Sequence, residues 1–148
     1  MLTITVINDK NIFNTHCQTI VNTVNCVGVM GKGIALEMKN RYPEMFDKYK
    51  NFCNNNLIEI GKLWLYKYDD CKWILNFPTK NNWKDTSEYE YIEKGMQKFV
   101  ETYKEKNITS IAFPMLGCGN GGLDDDVVLE IMTKHLIKCD GLIVEIYK

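Results

Sequence analysis

Two glycine-rich runs and one lysine are the residues whose types and spacing suit chemistry. Gly28-Val29-Met30-Gly31-Lys32-Gly33 follows the apolar run Thr19–Val24, and Gly117-Cys118-Gly119-Asn120-Gly121-Gly122 follows residues 110–115. Backbone can approach a phosphate only where no Cβ intrudes, and several N–H groups must converge there, often with positive φ. One such turn is weak evidence of a ligand. Two say more, because the carboxyl ends of parallel strands share one edge of a sheet, where both turns could close on one diphosphate. The alternative is that these glycines only make tight turns.

Lys80 follows Phe77-Pro78, just beyond an apolar strand, and is expected to project from the same edge. On composition alone a loop lysine is a solvated charge. Asn25 ends the strand before the first turn, and its amide suits either ribose hydroxyls or turn backbone. Asn22 lies inside that strand and needs a partner if buried. Trp83 suits stacking on a nucleobase, with Lys80, Lys84 and Arg41 as phosphate contacts. The alternative is a Trp packed under a loop and lysines that solvate a surface.

The elements that must position these groups are legible. Strands are expected at residues 2–7, 19–25, 62–68, 73–77, 110–115 and 142–147, each rich in β-branched or aromatic residues. Helices are expected at 33–41, 43–53, 87–106 and 124–137. Ser87 and Glu90 read as a capping box for the third, and Asp124 as the cap of the fourth with Asp125 and Asp126 facing solvent. Central strands apolar on both faces imply helices on both sides of a sheet. The fold class is therefore α/β, a three-layer α/β/α domain with a mixed, largely parallel central sheet, spanning 1–148 as one domain.

Bulk composition sets limits. The 148 residues are 45% hydrophobic and 25% charged, as in a globular protein, and the net charge of −1 excludes a general nucleic-acid coat. A local basic patch stays compatible. The six cysteines form no C-x-x-C pair, so reduced and mostly buried thiols are expected, with no metal. His16 and His135 receive no functional role. No apolar run reaches membrane-spanning length and the start reads as a strand, so no membrane partner and a cytoplasmic location are expected. Gly117-x-Gly119-x-x-Gly122 also matches the dinucleotide fingerprint, which makes a nicotinamide-dependent oxidoreductase a rival. Only one helix and one strand follow it, however, and the acidic residue at the expected spacing, Asp140, precedes the last strand instead of ending one.

The run Ile20-Val21-Asn22-Thr23-Val24-Asn25-Cys26-Val27-Gly28-Val29-Met30-Gly31-Lys32-Gly33-Ile34-Ala35 resembles the first ligand loop of macrodomains, the ADP-ribose-binding α/β/α modules. Asn76-Phe77-Pro78-Thr79-Lys80-x-x-Trp83 and Pro114-x-Leu116-Gly117-Cys118-Gly119-Asn120-Gly121-Gly122-Leu123-Asp124 sharpen the match. Together they resemble the DarG type, antitoxin macrodomains that remove ADP-ribose from DNA after a partner toxin has attached it to thymidine. A sister group, the terminal ADP-ribose glycohydrolases acting on protein glutamate, has a catalytic lysine that matches Lys80.

The resemblance implies a role for each matching position. Asn11 and Ile12 would meet the adenine end, and Asn22 and Asn25 the distal ribose. Met30, Gly31, Lys32, Gly33 and Ile34 would lie along the diphosphate and distal ribose, with Thr79 beside them. Gly117, Cys118, Gly119, Asn120, Gly121, Gly122 and Leu123 would wrap the diphosphate from the other side. Lys80 would act at the anomeric carbon, with Asn25 and Asn22 assisting. Its role is either nucleophilic, which requires a pKa well below ~10.4, or that of a cationic proton donor; analogy with the sister group favours the first.

Three departures stand out: Lys10 replaces the usual glycine before Asn11, Asp125 the usual Trp, and Gly121 the sister group's catalytic Asp. The chain is also expected to lack the extra C-terminal domain of the full-length antitoxin. The function expected is hydrolysis of ADP-ribose from nucleic acid, thymidine-linked on single-stranded DNA, by a monomer with no cofactor and with ADP-ribose as ligand and product. The alternatives are a non-catalytic ADP-ribose or NAD-derived nucleotide binder, and a hydrolase of protein-linked ADP-ribose.

Overall fold

The computed structural model describes residues 1–148. Its strands are β1 (Thr3–Ile7), β2 (Thr19–Val24), β3 (Trp64–Lys67), β4 (Trp73–Pro78), β5 (Ser110–Pro114) and β6 (Ile143–Tyr147). Its helices are α1 (Gly33–Arg41), α2 (Pro43–Asn54), α3 (Tyr89–Thr102) and α4 (Asp125–Leu136). The strands form one sheet in the order β1-β6-β5-β2-β4-β3. All neighbours run parallel except β3, which is antiparallel to β4. The carboxyl ends of five strands therefore share one edge.

Strand alternation sorts the core into two layers. On one face Val21, Leu75, Phe77, Ile111, Phe113 and Val144 pack with Ile92, Met96 and Phe99 of α3 and Val128, Met132 and Leu136 of α4. On the other, Ile20, Val24, Ile74 and Ala112 pack with Ala35 and Met38 of α1 and Met45, Tyr49 and Cys53 of α2. This is the α/β/α sandwich that apolar central strands imply.

Asp124 caps α4, its carboxylate accepting from Val127 N at 3.1 Å. The Ser87 capping box does not form. The cap position of α3 is Glu88, which makes no side-chain cap bond. Ser87 is instead buried, and its N–H donates to the Gly121 carbonyl at 2.9 Å. The right spacing for a cap was overruled by the tertiary pull of the second glycine turn. Cys17, Cys53 and Cys139 are buried, Cys71 is exposed, and all six cysteines are free. His135 meets the Glu93 carboxylate at 3.1 Å and His16 is exposed. No helix is long and apolar enough to cross a membrane.

Candidate functional site

A cleft of about 710 Å³ lies at the carboxyl edge, within the range of small-molecule sites. The ends of β2, β4, β5 and β6 open into it. Its walls include residues 31–33 of the first turn with Ile34 and Ala35 of α1, 117–121 of the second turn, and Thr79, Lys80, Trp83 and Lys84 after β4. The two turns come close together: a Cβ on Gly33 would stand 3.6 Å from Asn120 Nδ2. A smaller hollow of about 400 Å³, by Phe52 and Trp64, contains none of the candidate residues.

Lys80 is bound to both turns. Its carbonyl receives the Cys26 thiol at 3.4 Å, and Cys26 N donates to Asn81 O at 3.1 Å, continuing the β2–β4 pairing past the strand ends. Its Nζ crosses the cleft to donate to the Asn120 carbonyl at 2.9 Å, with a longer contact to Trp83 O at 3.4 Å. Two ammonium hydrogens are thereby engaged and one stays available to a ligand. Lys32, Lys80, Lys84 and Lys148 line the cleft against Asp85 and Asp125, a positive balance that suits an anionic ligand.

Asn25 builds the first turn. Its Oδ1 accepts from Val27 N at 3.1 Å, Val29 N at 3.3 Å and Tyr49 OH at 2.8 Å, while Nδ2 donates to Val29 O at 2.7 Å. The residue lines the cleft, yet only its second Nδ2 hydrogen is free for a ligand. Tyr49, wholly buried on α2, also reaches Asn25 O at 2.7 Å, and burial pushes its phenol up from the ordinary range. The phenol therefore serves the turn as a neutral donor.

The second turn is shaped by what its glycines lack. A Cβ on Gly121 would stand 2.5 Å from Ser87 Oγ, so Ser87 fits beneath the loop only because position 121 has no side chain. Gly119 differs: its φ is +45° and nothing lies within 4 Å of a notional Cβ, so its backbone borders open space. Burial and the neighbouring Asp125 carboxylate push the Cys118 thiol up to about 12, which keeps it neutral in the cleft.

Several of the candidate residues lie outside the cleft wall. Asn22 is fully buried, its Nδ2 donating to Asn76 Oδ1 at 3.0 Å across β2–β4 and touching Met30 Sδ at 3.9 Å. It faces the α1/α2 layer, and its Oδ1 has no partner. Met30, 1% exposed, packs into that layer and not along the cleft. Leu123 packs against the α3/α4 core, and neither it nor Gly122 lines the cleft. Asn11 and Ile12 follow β1 at the same edge but outside the cleft wall: Asn11 Oδ1 caps a short 3₁₀ turn through Phe13 N at 2.9 Å, and Ile12 is buried. Asp125 is exposed and also forms part of the wall.

Sequence reasoning missed Tyr147 and Lys148, which line the cleft because β6 is the neighbour of β5. Their signal was their place at a strand end; what was lacking was the strand order. Asp140 sits before β6 beside the amino group of Met1, 3.5 Å away, remote from the second turn. The dinucleotide-fold rival thus loses its ribose carboxylate. No three His, Cys, Asp or Glu side chains come together as a metal site.

A macro domain family model matches residues 21–132, and the chain belongs to the macro domain family. It is 47% identical over 127 residues to a Mycobacterium tuberculosis protein named DNA ADP-ribosyl glycohydrolase, a match covering 83% of this chain and 36% of that protein. The chain thus spans little more than a third of the length of the first curated relatives it matches. The macrodomain of Mycobacterium tuberculosis DarG superposes with a TM-score of 0.91 at 40% identity, over 99% of this chain and 97% of that one. Thermosipho africanus DarTG, solved in complex with ADP-ribose, superposes with a TM-score of 0.90 at 36% identity, over 98% of this chain and 41% of that one.

Proposed function

We propose that this chain hydrolyses ADP-ribose from nucleic acid, with thymidine-linked ADP-ribose on single-stranded DNA as its substrate. One observation carries the reading: Lys80 Nζ reaches the Asn120 carbonyl across a cleft walled by both glycine turns. A diphosphate lying along the turns brings the attached sugar to that ammonium. The names of the relatives support the same reading, since one is a DNA ADP-ribosyl glycohydrolase and another was solved with ADP-ribose.

The chemistry balances with the residues present. Water adds to the anomeric carbon as the bond to the base nitrogen breaks, through an oxocarbenium-like sugar. Lys80 passes its free ammonium proton to the departing nitrogen, or first neutralises its developing negative charge. The proton released by the attacking water restores the ammonium. A neutral Lys80 would keep its bonds to Asn120 and Trp83 and point its lone pair where the third hydrogen stood, so the same placement serves nucleophilic attack once that proton is lost; proton donation needs no such prior loss. No cofactor enters the scheme.

The test compares ADP-ribosylated oligonucleotide, ADP-ribosylated protein and free ADP-ribose. Release of ADP-ribose from the oligonucleotide, lost in Lys80→Ala with ADP-ribose binding retained, is the expected result. Binding without turnover would make the chain a reader instead. Borohydride trapping of a lysine adduct during turnover would replace proton donation with the covalent route.

A further inference from the structure

Past Lys80 the cleft opens onto the short turn at residues 82–85. Asn82 Oδ1 accepts from Lys84 N at 3.1 Å and Asp85 N donates to Asn82 O at 3.1 Å, so the turn is internally braced. It displays Trp83, which lines the cleft while remaining 51% exposed. Trp is usually far more buried than this. The backbone of Trp83 is tied to Lys80, its carbonyl accepting from Lys80 Nζ at 3.4 Å. Lys84 Nζ stands 5.4 Å from the centre of the ring. A half-exposed indole with an ammonium over one of its faces combines the two groups by which proteins hold single strands, the ring for a base and the cation for the backbone.

We propose that this turn is the leaving-group subsite of the cleft, and that it takes an unpaired nucleobase stacked on Trp83 with an adjoining phosphate on Lys84. The proposal rests on reading the cleft as an ADP-ribosyl hydrolase. If the glycine turns hold the diphosphate, the group joined to the sugar lies on the far side of Lys80, and that side carries Trp83. A carboxylate leaving group from a protein side chain gains nothing from an indole. Asp85 next to Lys84, and Asp125 elsewhere on the cleft wall, repel further phosphates, so the strand contact is local. Stacking on one exposed ring requires the base to leave its own stack, which a single strand allows and a duplex resists. Trp83 and Lys84 thus favour an unpaired base as the leaving group over a side-chain carboxylate.

The experiment measures Trp83→Ala, Trp83→Phe and Lys84→Ala on an ADP-ribosylated single-stranded oligonucleotide and on the corresponding ADP-ribosylated nucleoside, with the Kd for free ADP-ribose measured in parallel. Trp83→Ala should raise KM on both substrates by about 5- to 150-fold, the range of base–aromatic stacking, with the ADP-ribose Kd unmoved and Trp83→Phe recovering most of the loss. Lys84→Ala should raise KM on the oligonucleotide alone and reduce its salt slope by about 0.7, the value of one single-strand phosphate. An unchanged KM in Trp83→Ala overturns the proposal, and so does a parallel rise in KM and ADP-ribose Kd. Wild-type protein that turns over no oligonucleotide refutes the hydrolase reading instead. The subsite is then judged by indole fluorescence: quenching by unmodified oligothymidylate that vanishes in Trp83→Ala supports it, and no quenching overturns it.

Discussion

Around the first turn one amide makes the loop: Asn25 ties together Val27, Val29 and the Tyr49 hydroxyl, with α2 as the anchor. Around the second no side chain of the loop plays that part. There the backbone closes on itself, Gly121 N donating to Cys118 O at 2.7 Å and Leu123 N to Gly117 O at 3.0 Å, and Ser87 fills the space beneath. Two loops that look alike as glycine runs are thus stabilised by opposite means. Substitution should harm the first by removing hydrogen bonds and the second by adding atoms.

Lys80→Ala should have the largest effect; it leaves the backbone bonds at Cys26 that hold the first turn and removes from the second only the Nζ bond to the Asn120 carbonyl. Turnover of an ADP-ribosylated oligonucleotide should fall by about 10²–10⁴, the range for a lost general acid, with the ADP-ribose Kd nearly constant. A matching loss of affinity would show that Lys80 holds the ligand and does no chemistry.

Gly119→Glu tests the open part of the second turn. A carboxylate placed there meets the diphosphate, and like charges brought together cost several kcal/mol, so affinity for ADP-ribose should drop by at least about 100-fold. The +45° φ adds strain of about 1–3 kcal/mol, which calorimetry should register as a lower Tm. Full affinity would place the diphosphate elsewhere.

Asn25→Ala tests the first turn in the other direction. Four side-chain hydrogen bonds vanish and the buried Tyr49 hydroxyl loses one acceptor, for a loss of about 2–4 kcal/mol in denaturant unfolding. Tyr49→Phe should cost about 1 kcal/mol, and the double variant should fall short of the sum because the two share a bond. Strict additivity would mean that Tyr49 does not brace the turn through Asn25.

Ser87→Ala should do least. Its Oγ is buried without a partner, so removal should change stability by no more than about 0.5 kcal/mol, in the stabilising direction if any. A helix cap would have cost about 1 kcal/mol. A loss of that size would return Ser87 to the role its spacing suggested.

Much of this was legible in the chain. The α1 bounds matched those expected, and other ends moved by a few residues, because caps and hydrophobic period are local properties. Asn22 shows where locality fails. On β2 it shares a face with Ile20 and Val24 and pairs with Asn76 in register, so the strand's alternation turns it into the α1/α2 layer. Its neighbour in motif, Asn25, lies past the strand end, where the chain turns toward the cleft. Ser87 illustrates the same limit, since a capping pattern cannot foresee a glycine loop arriving from position 121.

The linear chain by itself determined the α/β/α layering, the two turns and the presence of a lysine beyond an apolar strand, since each depends on neighbours a few residues apart. Only the tertiary structure decided that β6 inserts between β1 and β5, that Tyr147 and Lys148 join the cleft, and that Lys80 Nζ meets Asn120. Those outcomes depend on strand order and on contacts between residues far apart in the chain, forty positions between Lys80 and Asn120 and many more between Thr3 of β1 and Ile143 of β6. Such long-range closures are chosen by the packing of the whole sheet and by no local propensity.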